Sequence, residues 1–509
     1  MARQLLLCDS LRTAVTLVVL LAAACDNAPE DNISQTEHHF PAAAAQCSVP
    51  SPPAPLGSST VIGNGTTTEC TAAALATAVA SGGNISFNCG EEITIPIPNE
   101  ITVPADTIID GGNTVTLDGG GSTRIFHTDA GVSLTVQNLR FSNGNAMNDN
   151  PGSGGAIRVG WLGKLYVFDC TFINNRAAQS GIEGGGAIYQ SNGGELVVVR
   201  SRFEGNTAIS GGAIDNLLSP MTIVHSSFVE NESVGGGGAV YTDGASAYTD
   251  DDDDVGGVIS ICGCTFDRNR AVGTGGAVYL WAYPPDELFI NHCSFTANEA
   301  YAVGDDSALG GAVRTGNAPL QMAHSLFAEN HADVHGGAYW TRGNYPTQIV
   351  NCTFYRNTAG VEGRDGGYGG ALSGFNTHVE SCTFVENHAQ FTGGAISAEE
   401  NQWTMNNCVF LNNWASNPWG TSQTCTRSID GAHSVQWPAP ETAEDPPCGV
   451  DTIIADPLTG ELGDHGGVTQ TIPLLPNSPC INAGSNCPAT DQRNEPRTGP
   501  CDIGAFEVQ

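Results

Sequence analysis

A repeat of about 30 residues limits what this chain can fold into. Ten phenylalanines, Phe141, Phe172, Phe203, Phe228, Phe266, Phe295, Phe327, Phe354, Phe384 and Phe410, recur at intervals of 25 to 38 residues. From Phe172 onward each is followed three positions later by an asparagine: Asn175, Asn206, Asn231, Asn269, Asn298, Asn330, Asn357, Asn387 and Asn413. In the first copy Asn145 comes one position late. Two positions after each of the nine asparagines stands Ala or Ser, and in eight copies Gly-Gly-Ala plus an apolar residue follows, as in Gly185-Gly186-Ala187-Ile188. Upstream, an apolar residue precedes the phenylalanine by five positions, from Val167 to Met405, and Cys or Ser precedes it by two. A unit this short cannot bury its own apolar face, so the copies must stack on one another.

Within a strand, alternate side chains share a face, so the phenylalanine and the small residue two before it both point inward. The odd offset to the apolar residue at minus five needs a bend between two strands, and the Asn, Asp, His or Gly found at minus three in most copies suits one. Short strands joined by corners and stacked at about 4.8 Å make an all-β chain, a right-handed single-stranded parallel β-helix. The asparagines are expected to hydrogen-bond along the stack and to take left-handed backbone conformations at their corners, while Gly-Gly supplies positive φ. Helical repeats do not fit between such closely spaced strands and glycine pairs, and thirty residues are too few for a four-stranded propeller blade.

Outside the repeats, residues 1–24 read as an export signal: Arg3 and Arg12 flank a weakly charged start, and Thr13 to Leu21 is an apolar run too short to span a bilayer. Residues 25–66, rich in Ala, Pro, Ser and Asn and without periodicity, are expected to form a flexible tether. Residues 67–140 hold an N-terminal cap and the first coils, with a helix predicted over Ala72 to Ala80 and stopped at Gly82-Gly83. Cys70 and Cys89 flank that helix and can close a disulfide over it. The repeats fill 141–420, and 421–509 is expected to be a disulfide-containing, turn-rich cap over the open last coil. With 53 acidic against 18 basic residues the net charge is -35. That charge excludes nucleic acid as a partner and requires bridging cations, calcium above all, for any polyanionic ligand.

The alternating Gly-Gly-Ala-(Ile/Val) and Phe-x-x-Asn motifs resemble the repeats of the bacterial polymorphic outer-membrane proteins, exposed β-helical passengers implicated in adhesion. The resemblance covers Phe141 to Asn413 and implies a protein exported to the bacterial outer membrane or cell surface. Those proteins usually end in a membrane β-barrel, and the long alternating strands of a barrel are missing after Asn413. The end, with Asp491-Gln492-Arg493 and Cys501-Asp502-Ile503-Gly504-Ala505-Phe506-Glu507, instead resembles the choice-of-anchor module of exported bacterial β-helix proteins. Leu21-Ala22-Ala23-Ala24-Cys25 resembles a lipobox, which implies acylation of Cys25 and a membrane held through a lipid anchor; ordinary cleavage after Ala24 is the alternative.

Few residues declare chemistry. Cys170, Cys264, Cys293, Cys352, Cys382 and Cys408 share the repeat position that Ser201, Ser226 and Ser325 fill elsewhere, so they read as small buried thiols and not as metal ligands. Cys425, Cys448, Cys480, Cys487 and Cys501 lie among turns, where disulfides are expected. Asp250, Asp251, Asp252, Asp253 and Asp254 form a solvated loop or, with Asp243, a weak calcium site. His324, His331 and His335 invite a metal reading but occupy ordinary corner or surface positions. The pectin-lyase-like solenoid is shared with polysaccharide lyases and hydrolases, whose chemistry needs acids holding calcium beside a base, or two carboxylates about 5 to 10 Å apart. Asp215, Arg314 and Asp305-Asp306 are the residues that could share such a groove. The reading is a non-enzymatic, adhesin-like or structural surface protein with cell-surface glycans or proteins as partners; the alternative is a carbohydrate-active lyase or hydrolase. Mass spectrometry of the mature protein should find acyl groups on Cys25, and an unmodified N-terminal Cys25 would remove the lipoprotein reading.

Overall fold

The computed structural model describes residues 47–246, 256–304, 307–343, 345–399, 402–442 and 445–509. Cys25, the loop aspartates Asp250 to Asp254 and Asp305-Asp306 lie outside the described residues. The folded body is a parallel β-solenoid of about 13 turns. Successive coils pair in parallel and in register: Phe172 lies opposite Phe141 and Phe203, and Val198 opposite Val167 and Ile223. From the Phe203 coil to the Phe384 coil, each coil gives two strands to one sheet of 25 strands, one strand to a sheet of 11 and a short one to a sheet of 8.

The two strands in the large sheet are separated by the expected bend at minus three, where Asp169, His225, His292 and Asn407 all have φ between 50° and 54°. The second corner differs from expectation. Its left-handed residue is the one before each asparagine, such as Glu230 (φ 53°) or Glu386 (φ 54°), and the asparagines themselves point inward and are buried. Their amides form a continuous ladder. Asn269 Nδ2 donates to Asn298 Oδ1 at 3.0 Å and to the Phe228 carbonyl at 3.0 Å, while its Oδ1 accepts from Asn231 Nδ2 at 2.9 Å and from the Asn231 backbone N–H at 3.0 Å. All the hydrogen-bonding capacity of the side chain is met by the coils above and below, which is why a polar residue is tolerated there.

Beside this ladder run the phenylalanines, fully buried, with neighbouring ring centroids 4.7 to 5.0 Å apart and rings within 9° of parallel. The Cys/Ser position has a reason beyond size: Ser201 Oγ accepts the Cys170 N–H at 3.1 Å, and Cys264 Sγ accepts the Ser226 N–H at 3.4 Å. Either atom satisfies the backbone donor released by the bend. The six thiols are free and buried; burial, with a smaller push from the Asp169 charge, raises Cys170 to about 12. In the Gly-Gly pairs the two glycines serve different needs. Gly211 takes φ 53°, and a Cβ on Gly212 would stand 2.1 Å from the Gly238 carbonyl of the next coil.

The N-terminal helix spans Ala72–Ser81, capped by the Thr71 side chain accepting from Ala74 N–H and ended by Gly82 at φ 65°. Leu75, Ala78 and Val79 seal the first coils, and Cys70 pairs with Cys89. The tether expected over 25–66 is corrected at its C-terminal part. Ser59–Ile62 forms the first strand and pairs with Gly83–Phe87, and Cys47 is disulfide-bonded to Cys262. A single short strand carries no repeat, so periodicity could not reveal it.

The C-terminal cap is also corrected. Residues 421–454 continue the stack, with Ser434–Trp437 pairing to Val409–Leu411 and Thr452–Ile454 pairing to Ser434–Trp437, and Cys425 bonded to Cys448. Ile453 and Ile454 of the last strand are 42% and 40% exposed. Residues 456–509 run back along the flank, where Asn351 Nδ2 donates to the Thr490 carbonyl, Asn407 Nδ2 to the Ser485 carbonyl and the Ala505 N–H to Thr383 Oγ1. The Asp491 and Glu507 carboxylates lock this segment through the guanidinium groups of Arg493 and Arg497 and through backbone N–H groups. Cys487 pairs with Cys501, whereas Cys480, expected in a disulfide, is free and packs with Val409, Val435 and Ile503.

Replacing Phe295 by Ala removes a ring stacked on both neighbours and should cost about 3 to 5 kcal/mol, whereas Cys264→Ser, which keeps an acceptor for the Ser226 N–H, should cost less than about 1 kcal/mol. Urea unfolding of the two variants beside the parent measures both, and equal losses would contradict the ladder account.

Candidate functional site

The inward positions are consumed by packing, so any site must use outward rows that are left uncovered. Much of the large sheet's corner row is taken by the C-terminal segment. The 11-stranded sheet offers the other broad lateral face. Its strands begin after each Gly-Gly-Ala, and the residue following the inward apolar one points outward. Read along the stack, this row is Arg158, Tyr189, Asp215, Tyr241, Tyr279, Arg314, Trp340, Ser373 and Ser397, of which Arg158, Tyr241, Tyr279 and Arg314 are half-buried and the rest are buried.

Four consecutive coils make it aromatic and cationic. Tyr241 and Tyr279 stack at 4.8 Å, and the Arg314 guanidinium lies 4.8 Å from the Tyr279 ring centre and 5.1 Å from that of Trp340. Trp281 lies over Gly316, where a Cβ would come within 2.5 Å of its ring, so the glycine makes room for the indole. Tyr283, 38% exposed, donates its hydroxyl to Asp243 Oδ1 at 2.7 Å. Arg314 Nε and Trp340 Nε1 are buried donors without a hydrogen-bond partner among the described residues. The row could have been found from the sequence by aligning the residue after each Gly-Gly-Ala-(Ile/Val).

Of the residues expected to share a catalytic groove, Asp215 and Arg314 do not meet. Asp215 and Arg314 stand in the same row but three strands apart, about 14 Å, with Tyr241 and Tyr279 between them. Asp215 is buried, and its Oδ2 accepts from Ser210 Oγ at 2.6 Å and from the Gly184 N–H at 2.8 Å. Burial raises its carboxyl to about 7 despite those two donors, and the charge of Asp243 on the same face adds to the rise. The three histidines also separate. His324 stacks on His292 at 4.8 Å and meets the Asp491 carbonyl; His331 bonds Thr358 and Asp333; His335 packs on Tyr368. Burial lowers both His324 and His335 to about 4. What does come together unexpectedly is Cys47, Cys262 and His292. The available signal was Cys262 itself, a cysteine four before a phenylalanine and therefore out of register with the buried series.

Because folded Asp215 holds its proton up to about pH 7 and the unfolded chain releases it near pH 4, this group lowers stability as pH rises through that window. Asp215→Asn lacks the slope, so its stability relative to the parent should rise by on the order of 2 to 4 kcal/mol between pH 4 and pH 8. Urea unfolding at both pH values checks the sign, and a pH-independent difference would contradict the buried-acid account.

No helix among the described residues is long and apolar enough to cross a membrane. A search of curated proteins finds no match. Among solved structures, a PL6 alginate lyase in complex with a trisaccharide is 10% identical, with 79% of this chain and 88% of that chain covered and a TM-score of 0.42. Pectate lyase Pel9A is 13% identical over 84% of this chain and 88% of its own, with a TM-score of 0.35. Residues 169–191, which run from the corner Asp169 through Phe172, Asn175 and Gly185-Gly186-Ala187, match the family model of the Chlamydia polymorphic membrane protein repeat.

Proposed function

We propose that this chain is an exported, surface-displayed β-helix of adhesin-like function, which binds uncharged or weakly charged cell-surface glycans along the outward face of the 11-stranded sheet and performs no chemistry on them. The observation that carries the reading is the aromatic and arginine row from Tyr241 to Trp340, on a scaffold whose inward repeat positions are occupied by packing. The matched repeat, from a family of membrane proteins, supports a place at the outer membrane or cell surface. Acylation of Cys25 would hold the protein there.

The chemistry of the row suits sugars. Indole and phenol rings present apolar surface with a polar tip, and a guanidinium held between rings loses little freedom when it meets a ligand. Trp281 and Tyr283, beside the row, have the partial exposure a stacking platform needs. The net charge of -35 disfavours polyuronates unless cations intervene. A lyase or hydrolase would need an accessible acid, and Asp215 is buried with its carboxylate already engaged by Ser210 and Gly184.

On an array of neutral and acidic glycans the protein should bind a subset saturably and release no product. Trp281→Ala should weaken that binding at least tenfold with the unfolding midpoint little changed. Binding insensitive to Trp281 would move the site off this face. Cleavage of any glycan that is lost in Asp243→Asn would replace the adhesin reading with the enzyme.

A further inference from the structure

The large sheet carries a column of corner residues, His225, Gly263, His292 and His324, in four consecutive coils. Gly263 leaves a gap between two histidines, and Cys47 fills it. His225 Nδ1 and Cys47 Sγ lie 2.4 Å and 3.2 Å from where a Cβ on Gly263 would stand. Cys262, the residue before that glycine, is bonded to Cys47. The two sulfurs and a ring nitrogen of His292 all lie within 4.8 Å of one another. His292 is 4% exposed; its Nε2 contacts Asn494 Nδ2 at 2.6 Å, and its Nδ1, although buried, has no hydrogen-bond partner among the described residues.

We propose that when the Cys47–Cys262 bridge is open, the two thiolates and His292 hold a soft divalent cation of the zinc class, with His225 as the fourth donor. Opening requires a dithiol reductant: two electrons and two protons pass to the two sulfurs, and the reductant leaves as its own disulfide. Cation binding then expels both protons, and two thiolates neutralise the 2+ charge, which suits a largely buried place. Tetrahedral coordination with metal–sulfur bonds of about 2.3 Å puts ligand atoms about 3.3 to 3.8 Å apart. The sulfurs must therefore separate and the imidazole close in slightly. Cys47 lies outside any strand, so it can move without breaking a pairing. Asn494 supplies the outer contact a ligating imidazole needs, its amide turned so that the carbonyl accepts from Nε2–H. Bridge and cation compete for the same sulfurs, so each excludes the other.

The test uses the full mature chain, reduced by a dithiol, freed of reductant without air and titrated with Co(II). Thiolate-to-cobalt charge-transfer and tetrahedral d–d bands should appear, with one equivalent more bound than by Cys47→Ser under the same treatment. His292→Asn, in which asparagine tolerates the same positive φ, should weaken the binding of that equivalent at least tenfold while circular dichroism stays that of the parent. In the unreduced protein the bands should be missing. Equal stoichiometry in the parent and Cys47→Ser, or a His292→Asn titration that matches the parent, overturns the site.

Discussion

Parallel stacking in strict register requires that every coil present the same atoms at the same height, because each coil's backbone donors are satisfied by the coils on either side of it. The asparagine ladder turns that requirement into chemistry. Its amides bond to the coils on both sides and to a phenylalanine carbonyl, so a coil displaced by one residue would strand buried donors and acceptors in two neighbours at once. Phenylalanine stacking adds apolar burial but little directional demand. The insertions between coils, from the short turn before Gly211 to the long segment between Val240 and Ile259, are tolerated because none of them interrupts the ladder.

Function is then left to what register does not use. Along the 11-stranded sheet the outward residue changes from Arg158 to Asp215 to Trp340 without entering the phenylalanine core, although Trp340 packs in a second apolar cluster with Leu309 and Val334. Along the flank of the large sheet the same freedom is spent differently. Early coils carry an exposed pair, Arg200 on Asp169, whereas later ones offer His324, Asn351 and Asn407 as contacts for the returning C-terminal segment. One row of corners thus serves as solvent surface at one end and as an internal joint at the other.

The fold was legible because a repeat is read many times over: Phe, Asn, Gly-Gly-Ala and the Cys/Ser position each recur, and their inward direction follows from alternation. What recurred without a partner was misread in detail. The left-handed conformation belongs to the residue before Asn175 and before each of its equivalents, because asparagine suits both roles and only the path of the chain decides. Features that occur once were harder still. Ser59–Ile62 is too short for a period to show, and Asp491 and Glu507 could be seen as a motif but not as a lock until the arginines facing them were placed. The aromatic face lay in the sequence as a column across repeats, invisible along any one of them.

The bridge between Cys47 and Cys262 spans 215 residues of sequence. While it is closed, tension between the chain before Cys47 and the C-terminus passes through two sulfur atoms into the middle of the solenoid. The helix and the early coils hang on a slack branch that carries no load. Opening the bridge transfers the whole pull to Ser59–Ile62, a single outermost strand that can be peeled away from Gly83–Phe87. The disulfide therefore decides whether a chain pulled from its two ends is held by its core or by its edge.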